Sequence, residues 1–264
     1  NSTLVLRWFY SSFCSPRLLF DKKSGKCWEL GFSLKNSLQK HRSTRHRIVV
    51  VARDMFVPGI TITEHLLNNL AVIAVLFLFD RVLLCNILPI KKHRDLLSAR
   101  WFFCHAAANA AVCLASISSA IAVFKDPLNT MNVDMHKDVS FFGSGSVWPL
   151  TIINSIHIYH MIGGFGLSSA DYFHHGMFIP TLGFPGQIFA FGAGGNWQAL
   201  FISGLPGGIS YFCLGLIKVG AMSKMAEKRL SANLNVWVRA PGILSATMIL
   251  YQSCVYGIVQ VPVW

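Results

Sequence analysis

The chain has 264 residues, 53% hydrophobic and 13% charged, with a formal charge of +12. A soluble domain holds about 25% charged residues, so the composition argues against a soluble enzyme and for one membrane domain. Cys14, Cys27, Cys85, Cys104, Cys113, Cys213 and Cys254 show no C-x-x-C spacing and mostly lie in apolar runs, so they read as small buried residues.

The predicted fold class is all-α, a polytopic bundle of about six transmembrane helices behind a basic N-terminal extension. Residues 1–62 form the extension and 63–264 the membrane domain. Residues 1–53 hold eleven Lys and Arg against Asp21 and Glu29. Such a tail is too polar for a core of its own and is expected to be disordered alone. Lys40, Arg42, Arg45 and Arg47 cluster without an intervening acid, which points to anionic headgroups or an acidic neighbouring subunit. Nucleic acid is disfavoured, because no recognition motif accompanies the charge. The stretch from Arg7 to Arg17 is rich in Ser, Arg and aromatics and poor in acids, a composition found in organelle transit peptides.

Six apolar segments follow, near 66–89, 101–124, 147–167, 172–193, 196–218 and 239–262. Each is long enough for a hydrocarbon core, which demands roughly 20 residues. The first contains the adjacent pair Asp80-Arg81, which either pairs inside the bundle or shifts the span. The second is rich in small residues from Ala106 to Ser119 and is expected at the centre, since small residues let membrane helices approach closely. Pro180, Gly183, Pro185 and Gly186 interrupt the fourth, and Gly204-Leu205-Pro206-Gly207-Gly208 interrupts the fifth. Backbone groups freed there must be satisfied inside protein, so the breaks are expected to face the bundle. The loops around Lys91 and after Lys218 share one side and are more basic than the loop from Lys125 to Asp138, which places them on the cytosolic, matrix or stromal side.

The polar residues inside these segments carry the functional signal, because ionisable groups are costly in a bilayer and default to working sites. Asn154, His157 and His160 recur at three-residue spacing, which predicts one helical face lining a cavity. Asp171 precedes His174 and His175 by three and four residues, within reach of an imidazole N–H. Three chemistries stay open: acid–base catalysis by an oriented histidine, metal binding by neutral imidazoles, and a structural or tetrapyrrole-binding role. His174, His175 and Asp171 are the candidate catalytic residues; Asn154, His157 and His160 are the candidate cavity and lipid-binding residues. The sequence assigns no metal ligand set and names no cofactor. A diiron lipid oxidase is disfavoured, since it would need about eight histidines in paired boxes.

The stretch from His157 to Lys218 resembles the TLC family of membrane proteins, which includes the ceramide synthases. That family places a His-His pair at the start of a transmembrane helix shortly after an Asp, as in Asp171-Tyr-Phe-His174-His175. The segment from Ser203 to Lys218 corresponds to the family's later polar helix, without the acidic residues that ceramide synthases carry there. His157-Ile-Tyr-His160 is faintly similar to the histidine box of fatty-acid elongases. The resemblance implies a lipid bound or modified in a histidine-lined cavity, with His174 and His175 as base and polariser and Asp171 orienting one of them. It also implies an endoplasmic reticulum or organellar membrane. The alternative expectation is a non-catalytic accessory subunit of a large respiratory or photosynthetic complex, docked through the basic tail.

Overall fold

The computed structural model describes residues 57–256, except 58, 89, 91, 133 and 190. These residues belong to one compact unit, 47–264. The expectations for the transit-like stretch and for Lys40, Arg42, Arg45 and Arg47 lie outside the described residues.

Among the described residues the chain is helical, without strands. Helix α1 runs Ile62–Ile87. Its start is a capping box: the Thr61 hydroxyl accepts the Glu64 N–H at 3.2 Å, and the Glu64 carboxylate accepts the Thr61 N–H at 2.6 Å. Helices α2 (His93–Ala115) and α3 (Ile117–Lys125) meet at a 41° bend on Ser116. Then come α4 (Trp148–Ile162), α5 (Ser169–Phe178), α6 (Phe184–Ile188), α7 (Gly192–Lys218), α8 (Lys224–Leu234) and α9 (Ala240–Tyr256).

Wide π turns at Ile179–Gly183, Leu200–Gly204 and Asn235–Arg239 each end two residues before a proline: Pro185, Pro206 and Pro241. Proline offers no N–H to the carbonyl four residues back and its ring presses on it, so the helix widens there instead of closing normally. A glycine follows each of these prolines, and two of them border neighbouring side chains. A Cβ on Gly207 would sit 2.9 Å from the Asn109 amide nitrogen, and one on Gly242 would sit 2.1 Å from the Phe201 ring. The glycine side of these breaks therefore packs against protein, while Leu182, Val236 and Trp237 on the turns themselves are exposed.

Helix α2 lies at the centre, packed on the second half of α7 and on α4, while α1 lies against α4. Its small residues Ala99, Ala106, Ala108 and Ala115 are buried and do the close packing, continued by the fully buried Ser116 at the bend and Ser119 on α3. The main core joins Leu76, Cys104, Val112, Ile152, Ile156 and Tyr159; a smaller one joins Val123, Ala193, Trp197 and Ala246.

Two helices, α1 and α7, are long and apolar enough to cross a membrane, and α2 with α3 makes a third if the bent pair is one span. The expected count of six is not supported by that measure. The other three segments do fold as helices. Helix α4, however, has 15 residues, or about 22 Å at 1.5 Å per residue, short of a hydrocarbon core of roughly 30 Å. Helices α5 and α6 are separated by a π turn that holds Pro180. Helix α9, in the sixth expected segment, is described over 17 residues, Ala240–Tyr256, or about 26 Å, also short of that thickness; the charged α8 before it was expected as a loop.

Candidate functional site

The link between α4 and α5 turns on Gly164, whose φ of +79° suits glycine. Helix α5 then starts at a second capping box: the Asp171 carboxylate accepts the Ser168 N–H at 2.9 Å and the Ser168 hydroxyl at 2.7 Å, and the Ser168 oxygen accepts the Asp171 N–H. This tight reversal sets the first turns of α5 against the end of α4. All four histidines singled out in the sequence converge there. The His157 ring lies 5.4 Å from His174 and 4.9 Å from His175, and His160 lies 4.6 Å from His175, centroid to centroid.

The contacts assign distinct states to the rings. His157 Nδ1 is 2.6 Å from the Ile153 carbonyl oxygen. A carbonyl only accepts, so Nδ1 carries the proton and Nε2 keeps its lone pair. The His157 ring is also stacked on Phe178 at 4.3 Å, which fixes its plane. His160 Nδ1 and His175 Nε2 share one hydrogen bond of 2.6 Å. Both residues are buried, and their opposite nitrogens, His160 Nε2 and His175 Nδ1, are buried without a partner. His174 is exposed and forms the mouth of the cluster. The ring nitrogens that His157, His174 and His175 offer lie within 4.8 Å of one another.

The Asp171 carboxylate is taken up by Ser168 at the helix cap and not by the histidines. Asn154 also leaves the histidine face. A three-residue step drifts by about 60° around a helix, so Asn154 and His160 point about 120° apart. The Asn154 amide nitrogen instead donates to Gln187 on α6 at 3.2 Å. There it joins a separate buried network: Asn69 donates to Gln187 at 3.0 Å and to the His65 carbonyl at 2.8 Å, and Ser155 donates to Asn69 at 2.9 Å.

Other residues at the cluster escaped the sequence reading. Trp101 stacks on His160 at 4.1 Å, and His105 lies 5.4 Å from His160 and 4.5 Å from Tyr211. Trp101 and His105 stand four residues apart on α2, so their shared face was visible as spacing, but nothing in the spacing says which helix they meet.

A buried ion pair between α1 and α2 meets another face of α4 at Tyr159. Arg100 holds Asp80 with two donors, Nε at 2.6 Å from Oδ1, and the Tyr159 hydroxyl donates to Asp80 at 2.7 Å. Asp80 is fully buried and Arg100 is 4% exposed. Asp80 therefore pairs inside the bundle, chiefly with Arg100; its neighbour Arg81 stays half-exposed at 3.4 Å and donates to the Gly163 carbonyl. Next to it, an open apolar groove of about 440 Å³ runs along Leu70, Ile73, Phe77 and Ile162, with Arg81 and Tyr159 on its wall.

No protein-family model, curated protein or solved structure matches the chain.

Proposed function

We propose that the chain is an integral membrane protein that binds, and in an enzymatic version modifies, a lipid whose polar end enters the histidine pocket between α4 and α5. The convergence of four histidines from two helices at one mouth supports this reading. In the TLC-like scheme His174 and His175 act as base and polariser, and His157 and His160 line the cavity. The large apolar side chains exposed on α1, among them Leu67, Leu70, Val75, Phe77 and Val82, are the surface a bilayer would cover. A six-span arrangement has α4, α5 with α6, and α9 crossing as short or bent rods inside that layer, with the charged α8 outside it. An endoplasmic reticulum or organellar membrane fits this scheme.

The decisive experiment is lipid extraction and mass spectrometry of the protein purified in mild detergent. One lipid class held near one per chain, and lost in His174→Ala with His175→Ala, is the expected result. Equal lipid content in the double variant defeats the reading. One observation favours a second reading: the Asp171 carboxylate accepts its hydrogen bonds from Ser168 at the helix cap and not from an imidazole it would orient as a base. That fits a non-catalytic accessory subunit of a respiratory or photosynthetic complex, held to its neighbours by Lys40, Arg42, Arg45 and Arg47. Blue-native electrophoresis of the source membrane separates the two, because only the second demands a fixed place in a large assembly.

A further inference from the structure

We propose that His157, His174 and His175 form a site for one divalent first-row transition ion of the zinc type, with its fourth position open toward the exposed side of the pocket. The site goes beyond lipid handling and stands whether or not a lipid enters.

Three neutral imidazoles are a ligand set for zinc, copper, iron or nickel, not for calcium or magnesium, which demand oxygen donors. Bonds of about 2.0–2.1 Å in a tetrahedral site put ligand nitrogens roughly 3.3 Å apart. The three nitrogens lie within 4.8 Å of one another already, so closure needs only side-chain rotation, for which the exposed His174 is free.

Two details of the rings point to an ion. The first is the bond from His157 Nδ1–H to the Ile153 carbonyl, which leaves Nε2 as the donor atom. A metal-ligating histidine almost always gives its other N–H to such an acceptor, which fixes the tautomer and raises ligand basicity. The second is His175. Its Nε2 is joined to His160 Nδ1 at 2.6 Å, while its Nδ1 is buried and unpartnered. A buried polar atom without a partner is costly, and here it belongs to a residue only 4% exposed. An ion at Nδ1 would satisfy it, with Nε2–H donating to His160 as the outer partner. Three protein ligands leave room for water in the fourth position, and His174 at the mouth sets the side from which it enters.

The test uses the full chain, purified in detergent without a polyhistidine tag, stripped with a chelator and equilibrated against Zn²⁺ at pH 7.5. Bound metal is then counted by mass spectrometry. The expected result is one Zn²⁺ per chain. His157→Ala, His174→Ala and His175→Ala should each weaken binding by more than about tenfold, and His160→Phe by about 10–100-fold, the range for an outer partner. His174→Ala removes an exposed side chain, so it tests the site even if a buried variant fails to fold. His136→Gln, outside the cluster, should keep full binding. Less than a fifth of an equivalent in the unmodified chain, or undiminished binding in His174→Ala, overturns the proposal. Metal bound without lipid leaves this inference standing and removes the lipid reading; lipid bound without metal does the reverse.

Discussion

Replacing Asp80 by Asn should unfold this protein more readily than any surface change, and the size of the effect follows from burial. The substitution keeps shape but removes the charge opposite Arg100, which is 4% exposed and has Asp80 as its ion-pair partner. Breaking a buried pair from one side costs about 3–5 kcal/mol, because an uncompensated charge remains. For a domain of this size each kcal/mol moves the unfolding midpoint by roughly 2–4 °C, so the midpoint should fall by about 6–20 °C. Arg81 is the internal control. It lies 3.4 Å from the same carboxylate, but its side chain is 43% exposed. An exposed partner contributes about 0–1 kcal/mol, so Arg81→Ala should shift the midpoint by less than about 4 °C. Removing the whole constellation tests the cause. Asp80→Leu with Arg100→Met and Tyr159→Phe leaves no buried charge and no orphaned hydroxyl, and such apolar replacements are often neutral or stabilising. The triple variant should recover most of the loss. Tryptophan fluorescence during heating in detergent micelles gives the midpoints. An Asp80→Asn midpoint within about 2 °C of the unmodified chain, or a triple variant no better than the single one, refutes the reasoning.

Ser168→Ala removes the cap that starts α5 and should cost about 0.5–2 kcal/mol, read as a lower midpoint in the same assay. Gln187→Leu deprives Asn69 and Asn154 of their shared acceptor; it should cost about 1–3 kcal/mol, and Asn154→Val added to it should cost less than the two changes summed. His136, in the loop after α3, bonds Ser144 and the Asn129 carbonyl, and burial holds its pKa below the usual histidine value. Its unfolded form therefore takes up the proton first, so its contribution to stability is complete above about pH 6.5 and is lost as pH falls below that value. The stability difference between the unmodified chain and His136→Gln, measured by unfolding from pH 7.5 to 5.5, should shrink toward low pH; a difference that does not change with pH removes His136 from the account.

The helical class and the positions of the apolar helices were legible because apolar runs broken by Gly-Pro clusters leave few alternatives; the polar α8, inside an expected loop, was not. The convergence of His157, His160, His174 and His175 was legible for a related reason: a short link forces consecutive helices together, and charge is expensive in apolar surroundings. The partners of these residues were not legible. Asp171 is close in sequence to two histidines, yet Ser168 is closer in space at the cap, and a capping box satisfies backbone donors that would otherwise be orphaned. Asp80 and Arg81 are neighbours in sequence, but adjacent helical residues diverge by about 100°, so Asp80 turned to Arg100 on another helix. Gln187, Asn69 and His65 gave no signal, because isolated polar residues in an apolar run say nothing about which helix will face them.

Helix α4 explains why the polar residues sort into separate sites. It is buried on nearly every side, from Pro149 through Ile156 and again at Tyr159 and His160. A helix surrounded in this way has no outward face for its polar groups, so each must find a partner among the neighbours in its own direction. Ser155 and Tyr159 point toward α1, where Asn69 and Asp80 receive them. Asn154 points to Gln187 on α6, and His157 and His160 point to α5. Three polar sites therefore share one rod; the ion-pair site is edged by the half-exposed Arg81, and the histidine site by the exposed His174, which α5 supplies. The buried sites fix the rotation of α4 about its axis, since a turn of even one residue would strand Tyr159 and Asn154 without acceptors. That fixed rotation is what holds two imidazoles of α4 against two of α5.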